Sequence, residues 1–217
     1  MRKLFLILTL TMFTFVGKVY AEMSYGVSGA LTRIDASGTE TEGGETNKGN
    51  ADNVVVIPSV FIEFAYSDTL SIGVDYIPMT ADVSSKTKNR VDTETSVTGT
   101  TTTTTTSRTQ SAQAELKNHV TLYANYDLGG YFAKVGVASV TLETIDSLGT
   151  GSAYGNEDIY GGVFGIGAQQ DNHRFEVVYT DYEDINLTSS VARTGVTTNN
   201  TIDADLDTFA FKYSYVF

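Results

Sequence analysis

The sequence predicts an all-β chain, one eight-stranded antiparallel up-and-down barrel that crosses a membrane. Three observations predict it. Apolar and polar residues alternate over short stretches along most of residues 22–217, which is the period of a strand and not of a helix. Eight such stretches are joined by connections that run long, short, long, short, long, short, long. The final stretch puts Phe209, Phe211, Tyr213, Tyr215 and Phe217 on one face and Ala210, Lys212, Ser214 and Val216 on the other. A strand tilted by roughly 45° crosses a bilayer in about 9–11 residues, close to the length of this segment.

The chain opens with Met1-Arg2-Lys3, continues through an apolar run from Leu4 to Val16, and reaches Ala21. A basic start, a short apolar core and a small residue at the end describe a signal peptide, cleaved after Ala21. The run falls short of the ~18–20 apolar residues a membrane helix needs. Residues 22–217 are then one barrel domain. Losing Arg2, Lys3 and Lys18, and no acid, moves the net charge from −12 to −15. That acidity argues against a nucleic-acid partner. There is no cysteine, hence no disulfide framework and no thiolate metal site.

The first strand alternates Met23, Tyr25, Val27, Gly29 and Leu31 with Ser24, Gly26, Ser28, Ala30 and Thr32. A Gly-, Thr- and Glu-rich segment follows, Asp35 to Asp52. The second strand has Val54, Val56, Pro58, Val60, Ile62, Phe64 and Tyr66 on one face, with Ser59 and Glu63 opposite. Ser67-Asp68-Thr69 turns into the third, where Leu70, Ile72, Val74, Tyr76 and Pro78 oppose Ser71, Gly73 and Asp75. After a Thr-rich stretch the fourth sets Leu116, Val120, Leu122, Ala124 and Tyr126 against Lys117, His119, Thr121, Tyr123 and Asn125. The turn Asp127–Gly130 leads to the fifth, with Tyr131, Ala133, Val135 and Val137 opposite Lys134 and Gly136. The sixth has Tyr160, Gly162, Phe164, Ile166 and Ala168 on one face. Gln170–His173 turns into the seventh, where Phe175, Val177 and Tyr179 oppose Arg174, Glu176, Val178 and Thr180. Asp184 to Asp205 precedes the aromatic strand.

Alternation alone does not say which face meets lipid, because a soluble lipocalin-like barrel turns its apolar face inward. The loop asymmetry favours lipid, with short periplasmic turns and long outer loops. So do Tyr66, Tyr126, Tyr131, Phe175 and Phe217, aromatics at the short-turn ends where an interfacial girdle belongs. The other face carries Glu63, Asp75, Lys134, Glu176 and Lys212 in mid-strand, charges of both signs that pair if turned inward. Eight strands leave a lumen just wide enough for side chains to fill, and Gly73, Gly136, Gly165 and Gly167 make room there.

These features resemble the small Gram-negative outer-membrane barrels of the OmpA, OmpX and opacity-protein class. Phe175-Glu-Val-Val-Tyr-Thr-Asp-Tyr182 looks like the next-to-last strand of that class. The ending on Tyr213, Tyr215 and Phe217 resembles its C-terminal assembly signal, with Lys212 where the resemblance puts glycine. The resemblance implies a cell outer-membrane location. The partners it implies are outer-membrane lipids and lipopolysaccharide, the barrel-assembly machinery during biogenesis, and an extracellular ligand that carries no motif. A monomer is expected.

Glycines lie midway along each outer connection: Gly43-Gly44, Gly99, Gly149-Thr150-Gly151 and Gly195. Tight hairpin turns want glycine for positive φ, so strand pairing is expected to continue beyond the membrane. Residues 80–115 read equally as a hairpin rich in β-branched Thr or as a disordered low-complexity loop.

Candidate sites follow. Glu63, Asp75, Lys134, Glu176 and Lys212 form a lumen charge network, read as a plug in preference to a gate. Asp203, Asp205 and Asp207, with Asp181 and Glu183, continue the outward face past the apolar band as an acidic rim. Hard divalent cations such as Ca²⁺ or Mg²⁺ prefer such oxygens and would bridge them to lipopolysaccharide phosphates, while Arg33 would touch a phosphate directly. The bland reading is a solvated rim. No catalytic site is expected: of two histidines, His173 sits in a turn and His119 faces the lumen with Lys117 as its same-face neighbour. The expected role is structural or surface-interactive. A narrow porin-like conduit is the alternative, and a lipid A-modifying enzyme the less favoured third.

Overall fold

A computed structural model describes residues 22–42, 45–98, 102–147, 153–190 and 199–217. The predicted signal peptide lies outside these residues, as do Gly43-Gly44, Gly99, Gly149-Thr150-Gly151 and Gly195.

Among the described residues eleven strands, all antiparallel, make one sheet. They are β1 (Met23–Glu42), β2 (Glu45–Ser67), β3 (Leu70–Ile77), β4 (Ala81–Asp82), β5 (Lys88–Thr98) and β6 (Thr102–Asp127), then β7 (Tyr131–Ser147), β8 (Asn156–Gln170), β9 (His173–Tyr182), β10 (Ile185–Thr188) and β11 (Thr201–Val216). Eight of them form a ring in the order β1-β2-β3-β6-β7-β8-β9-β11, closed by β1 on β11 from Gly26↔Val216 to Thr41↔Thr201. β4 and β5 extend the β3 side of the wall against β6, and β10 extends the β9 side against β11. No helix occurs among the described residues. Closure matters energetically: a ring leaves no strand edge with unpaired N–H and C=O groups.

The turns at one end are short because their residues permit it. Asp127 Oδ1 accepts from Gly129 N at 2.7 Å, and Gly129 and Gly130 take φ of 85° and 90°, where a side chain would be strained. Asp171 turns the β8–β9 hairpin at φ 52°. At the other end the ladders run on. β1 and β2 stay paired to Glu42↔Glu45, and β5 and β6 to Thr98↔Thr102. From Lys88 to Glu115 the Thr-rich stretch is therefore paired strand wherever it is described, while residues 83–87 between β4 and β5 are irregular.

Side-chain alternation orients the wall. Val27, Leu31, Val56, Val60, Ile62, Phe64, Val74, Val135, Phe164, Ile166, Phe175, Phe211 and Tyr213 are all exposed, Val56 at 71% and Ile166 at 68%. Their sequence neighbours Ser28, Ser59, Glu63, Asp75, Lys134, Glu176 and Ser214 are buried. The outer surface between the short turns and Arg33, Asp181 and Asp207 is thus an apolar band, and the polar face looks inward.

One expected element departs from simple alternation. Alternation alone sets Leu116 on the same face as Val120, yet it is buried inside the barrel. Between Lys117↔Thr141 and Val120↔Ser139 two residues, Asn118 and His119, oppose Val140 alone. This bulge, with Asn118 at φ 54°, reverses the parity of β6. Leu116 consequently turns in, and Lys117 turns out to pair with Glu143 and, at 3.4 Å, with Glu115. Lys117 is therefore not a same-face neighbour of His119.

Candidate functional site: the barrel lumen and its acidic rim

Among the described residues three ion pairs cross the lumen within the apolar band. Arg174 of β9 meets Glu63 of β2 at 2.6 Å, and Glu63 also accepts from Asn125 Nδ2 at 2.6 Å and Ser71 Oγ at 3.3 Å. Lys134 of β7 pairs with Glu176 of β9. Lys212 of β11 pairs with Asp75 of β3, which also accepts from Ser59 Oγ at 3.1 Å. None of these six charged side chains is more than 11% exposed. Three acids balance three bases, so the lumen carries no net charge from them. Buried charges are tolerated only when paired and hydrogen-bonded; all six are paired, and Glu63 and Asp75 also accept hydrogen bonds from neighbouring side chains.

Aromatic rings support the cations. The Lys134 ammonium lies 4.2 Å from the Tyr123 ring centre, and the Arg174 guanidinium 5.2 Å and 5.3 Å from Phe61 and Phe132. Each ring lies over a glycine on a neighbouring strand. Phe61 is opposite Gly26, Tyr123 opposite Gly73 and Gly136, and Phe132 opposite Gly167. A Cβ on Gly167 would run into the Phe132 ring and sit 2.6 Å from the Phe175 carbonyl.

The structure brings together all five charges singled out from the sequence and adds Arg174. Arg174 directly follows the β8–β9 turn, and the sequence places it on the inward face without naming it among the network charges. The signal that could have found it is its parity: it lies two residues before Glu176, on the same face. Of the inner aromatics, Tyr123 is legible from its parity, while Phe61 and Phe132 belong to no motif that marks them.

The rim residues divide. Asp207 stands between Asp181 and Asp35 in the register. Burial, and then the charges of Asp35 and Asp181, push its carboxyl above the usual range, with Arg33 opposing. Arg33 is engaged by Asp35 at 2.7 Å. Glu183 accepts from the Tyr160 amide at 3.0 Å, so it is tied to β8. Asp203 and Asp205 point out further along β11, opposite Thr39 and Ser37. Among the described residues no group of three or more acidic or histidine side chains is placed to hold a metal ion.

Each histidine holds a tyrosine hydroxyl. His119 Nε2 bonds the Tyr182 hydroxyl at 3.0 Å inside the barrel. His173 Nδ1 bonds the Tyr213 hydroxyl at 2.7 Å beside the short turn.

No protein-family model matches the sequence, and no curated protein matches it. Solved structures do. Ail, the attachment invasion locus protein of Yersinia pestis, is 9% identical over 90% of this chain and 99% of its own, with a TM-score of 0.37. The outer membrane protease OmpT of Escherichia coli is 9% identical over 92% and 99%, with a TM-score of 0.46. Neisserial surface protein A is 11% identical over 86% and 96%, with a TM-score of 0.38. The chain is thus similar to outer-membrane β-barrels, a likeness of fold alone that goes no further at these identities and TM-scores.

Proposed function

We propose that the chain is an outer-membrane anchor with a structural or surface-interactive role. The barrel holds it in lipid, and the long, acidic, paired hairpins face the outside. The observation that carries this reading is the apolar band on the outer surface of a closed ring. Aliphatic and aromatic side chains encircle the barrel there, and a water-soluble monomer rarely leaves such a contiguous surface bare. Lipid is the solvent that suits it, and the missing strand edge is what lipid requires. The hairpins face outward by the usual grammar of such barrels, with short turns on the periplasmic side. Lipopolysaccharide is then the neighbour of the Asp35–Asp181–Asp207 rim.

The ion pairs support a closed lumen rather than a conduit, since an ion crossing it would have to break at least one buried pair. Reconstitution into planar bilayers tests this: no discrete conductance is expected. Conductance steps abolished by Lys134→Met or Glu63→Gln would replace the anchoring role with transport. A non-catalytic role is supported by the tyrosine partners that both histidines hold. Unchanged lipid A on expression is expected, and modified lipid A that reverts with His119→Ala would contradict it.

A further inference from the structure

The interior beyond the ion pairs is not uniformly packed. Along β7 the inward residues run Lys134, Ala138, Val140, Leu142 toward the long hairpins. Lys134 borders an internal cavity of about 100 Å³ shared with Asp75, His119, Tyr182 and Lys212. Above it Ile34, Ala138, Val140 and Ile159, each at most 1% exposed, form an apolar partition. Leu142 lies beyond the partition, on the wall of a second space of about 650 Å³ between the extended hairpins.

That second space is an apolar chamber. Val83, Leu142, Ile185, Leu187, Ile202 and Leu206 line it. Alanines at the neighbouring inward positions Ala36, Ala51 and Ala114 leave it open, where larger side chains would have filled it. Of the charged residues at its border, Glu40 accepts from the Tyr154 hydroxyl at 2.6 Å. Lys48 and Asp205 are exposed, at positions alternate to the inward Gly49 and Ala204. The deeper wall thus offers apolar contact without a charge to match. A concave, mostly apolar space of roughly 300–1,000 Å³ with a few polar groups at its edge is the usual form of a small-molecule site.

We propose that this chamber binds a small, uncharged, apolar molecule entering from the hairpin end, with the partition as its floor. The inference needs only the closed barrel and stands whether or not the anchoring role does. Naphthalene serves as the probe, with Ile, Leu and Val methyl signals read by NMR on the folded barrel in detergent. Saturable shifts are expected at Leu142, Ile185, Leu187 and Ile202. The outward methyls of Val56 and Ile166 should change only in linear, non-saturating fashion, as partitioning into detergent requires. Ala51→Phe with Ala114→Phe should abolish the saturable shifts and leave the outward response intact. If that pair fails to fold, Ala114→Ile alone should weaken binding several-fold. Chamber methyls that move only in proportion to the outward ones would overturn the proposal. So would contacts, in the free protein, between chamber methyls and Val191 or Val196, because the chain itself would then fill the space.

Discussion

Lys134 and Glu176 depend on each other more than on anything else near them. Lys134→Met leaves a carboxylate buried without its partner, which costs about 3–5 kcal/mol. Urea unfolding in lipid vesicles should register that loss, and adding Glu176→Gln should restore most of it. A second Lys134→Met loss after the Glu176→Gln change would mean the pair is not coupled. Gly167 tests the close approach of β7, β8 and β9. Gly167→Ala sets a Cβ against a backbone carbonyl that cannot retreat, and about 1–3 kcal/mol of destabilisation is expected. Trimming Phe132 to Leu should not rescue it, since the carbonyl remains. At the rim, the raised carboxyl of Asp207 fixes the sign of a pH effect. A carboxyl raised in the folded state favours folding when protonated, and that stability is lost as pH rises through its folded value. Asp207→Asn should therefore stabilise the barrel at pH 7 by at most about 0.5 kcal/mol, given solvent screening. The difference from the parent should vanish as pH falls below about 4, the ordinary carboxyl value. At this scale parity shows that Arg174 and the five other lumen charges face inward, with Lys117 beside the β6 bulge the exception. It does not show who pairs with whom. Glu63 finds Arg174 across the lumen, and that match depends on barrel stagger, which no single strand encodes.

β6 is the element that alternation describes least well. Its bulge changes the face of everything before Asn118, and the only local mark is an asparagine, a residue that tolerates positive φ. Asn118→Gly should therefore be neutral or slightly stabilising. Asn118→Val should cost about 1–3 kcal/mol, measured by the same unfolding; equal stability of the two variants would deny that the left-handed backbone matters. The other strands of the ring are legible for a plain reason. Within the band every second residue is apolar and faces outward, so β1, β2, β3, β9 and β11 each print their orientation in the sequence. Past the band that pressure ends. There Ile34, Val140, Ile159 and Ile185 turn inward to form an apolar cluster, and outward residues such as Asp203 and Asp205 meet water. The inner and outer preferences exchange places along one strand. A reading keyed to one apolar face cannot anticipate that reversal, and the partition and chamber went unseen for this reason.

On the scale of the whole molecule, the barrel is three interiors stacked in one ring: ion pairs inside the apolar band, an apolar partition beyond it, and a chamber between the hairpins. The eight strands of the ring and its closure were readable because eight alternating stretches with unequal connections admit few other arrangements, whereas β4, β5 and β10 lie inside the long connections. The central claim is that the apolar face meets lipid and the ionic face meets itself. Single-cysteine spin labels test it most directly, since the chain has no cysteine of its own to remove. Labels at Val56, Ile166 and Phe211, and at Ser59, Thr121 and Ser214, would be compared in proteoliposomes for collision with oxygen and with a water-soluble nickel chelate. The account predicts the first three open to oxygen and shielded from nickel, and the second three shielded from both. Outward labels reached freely by nickel, on a protein that stays dissolved without detergent, would contradict it.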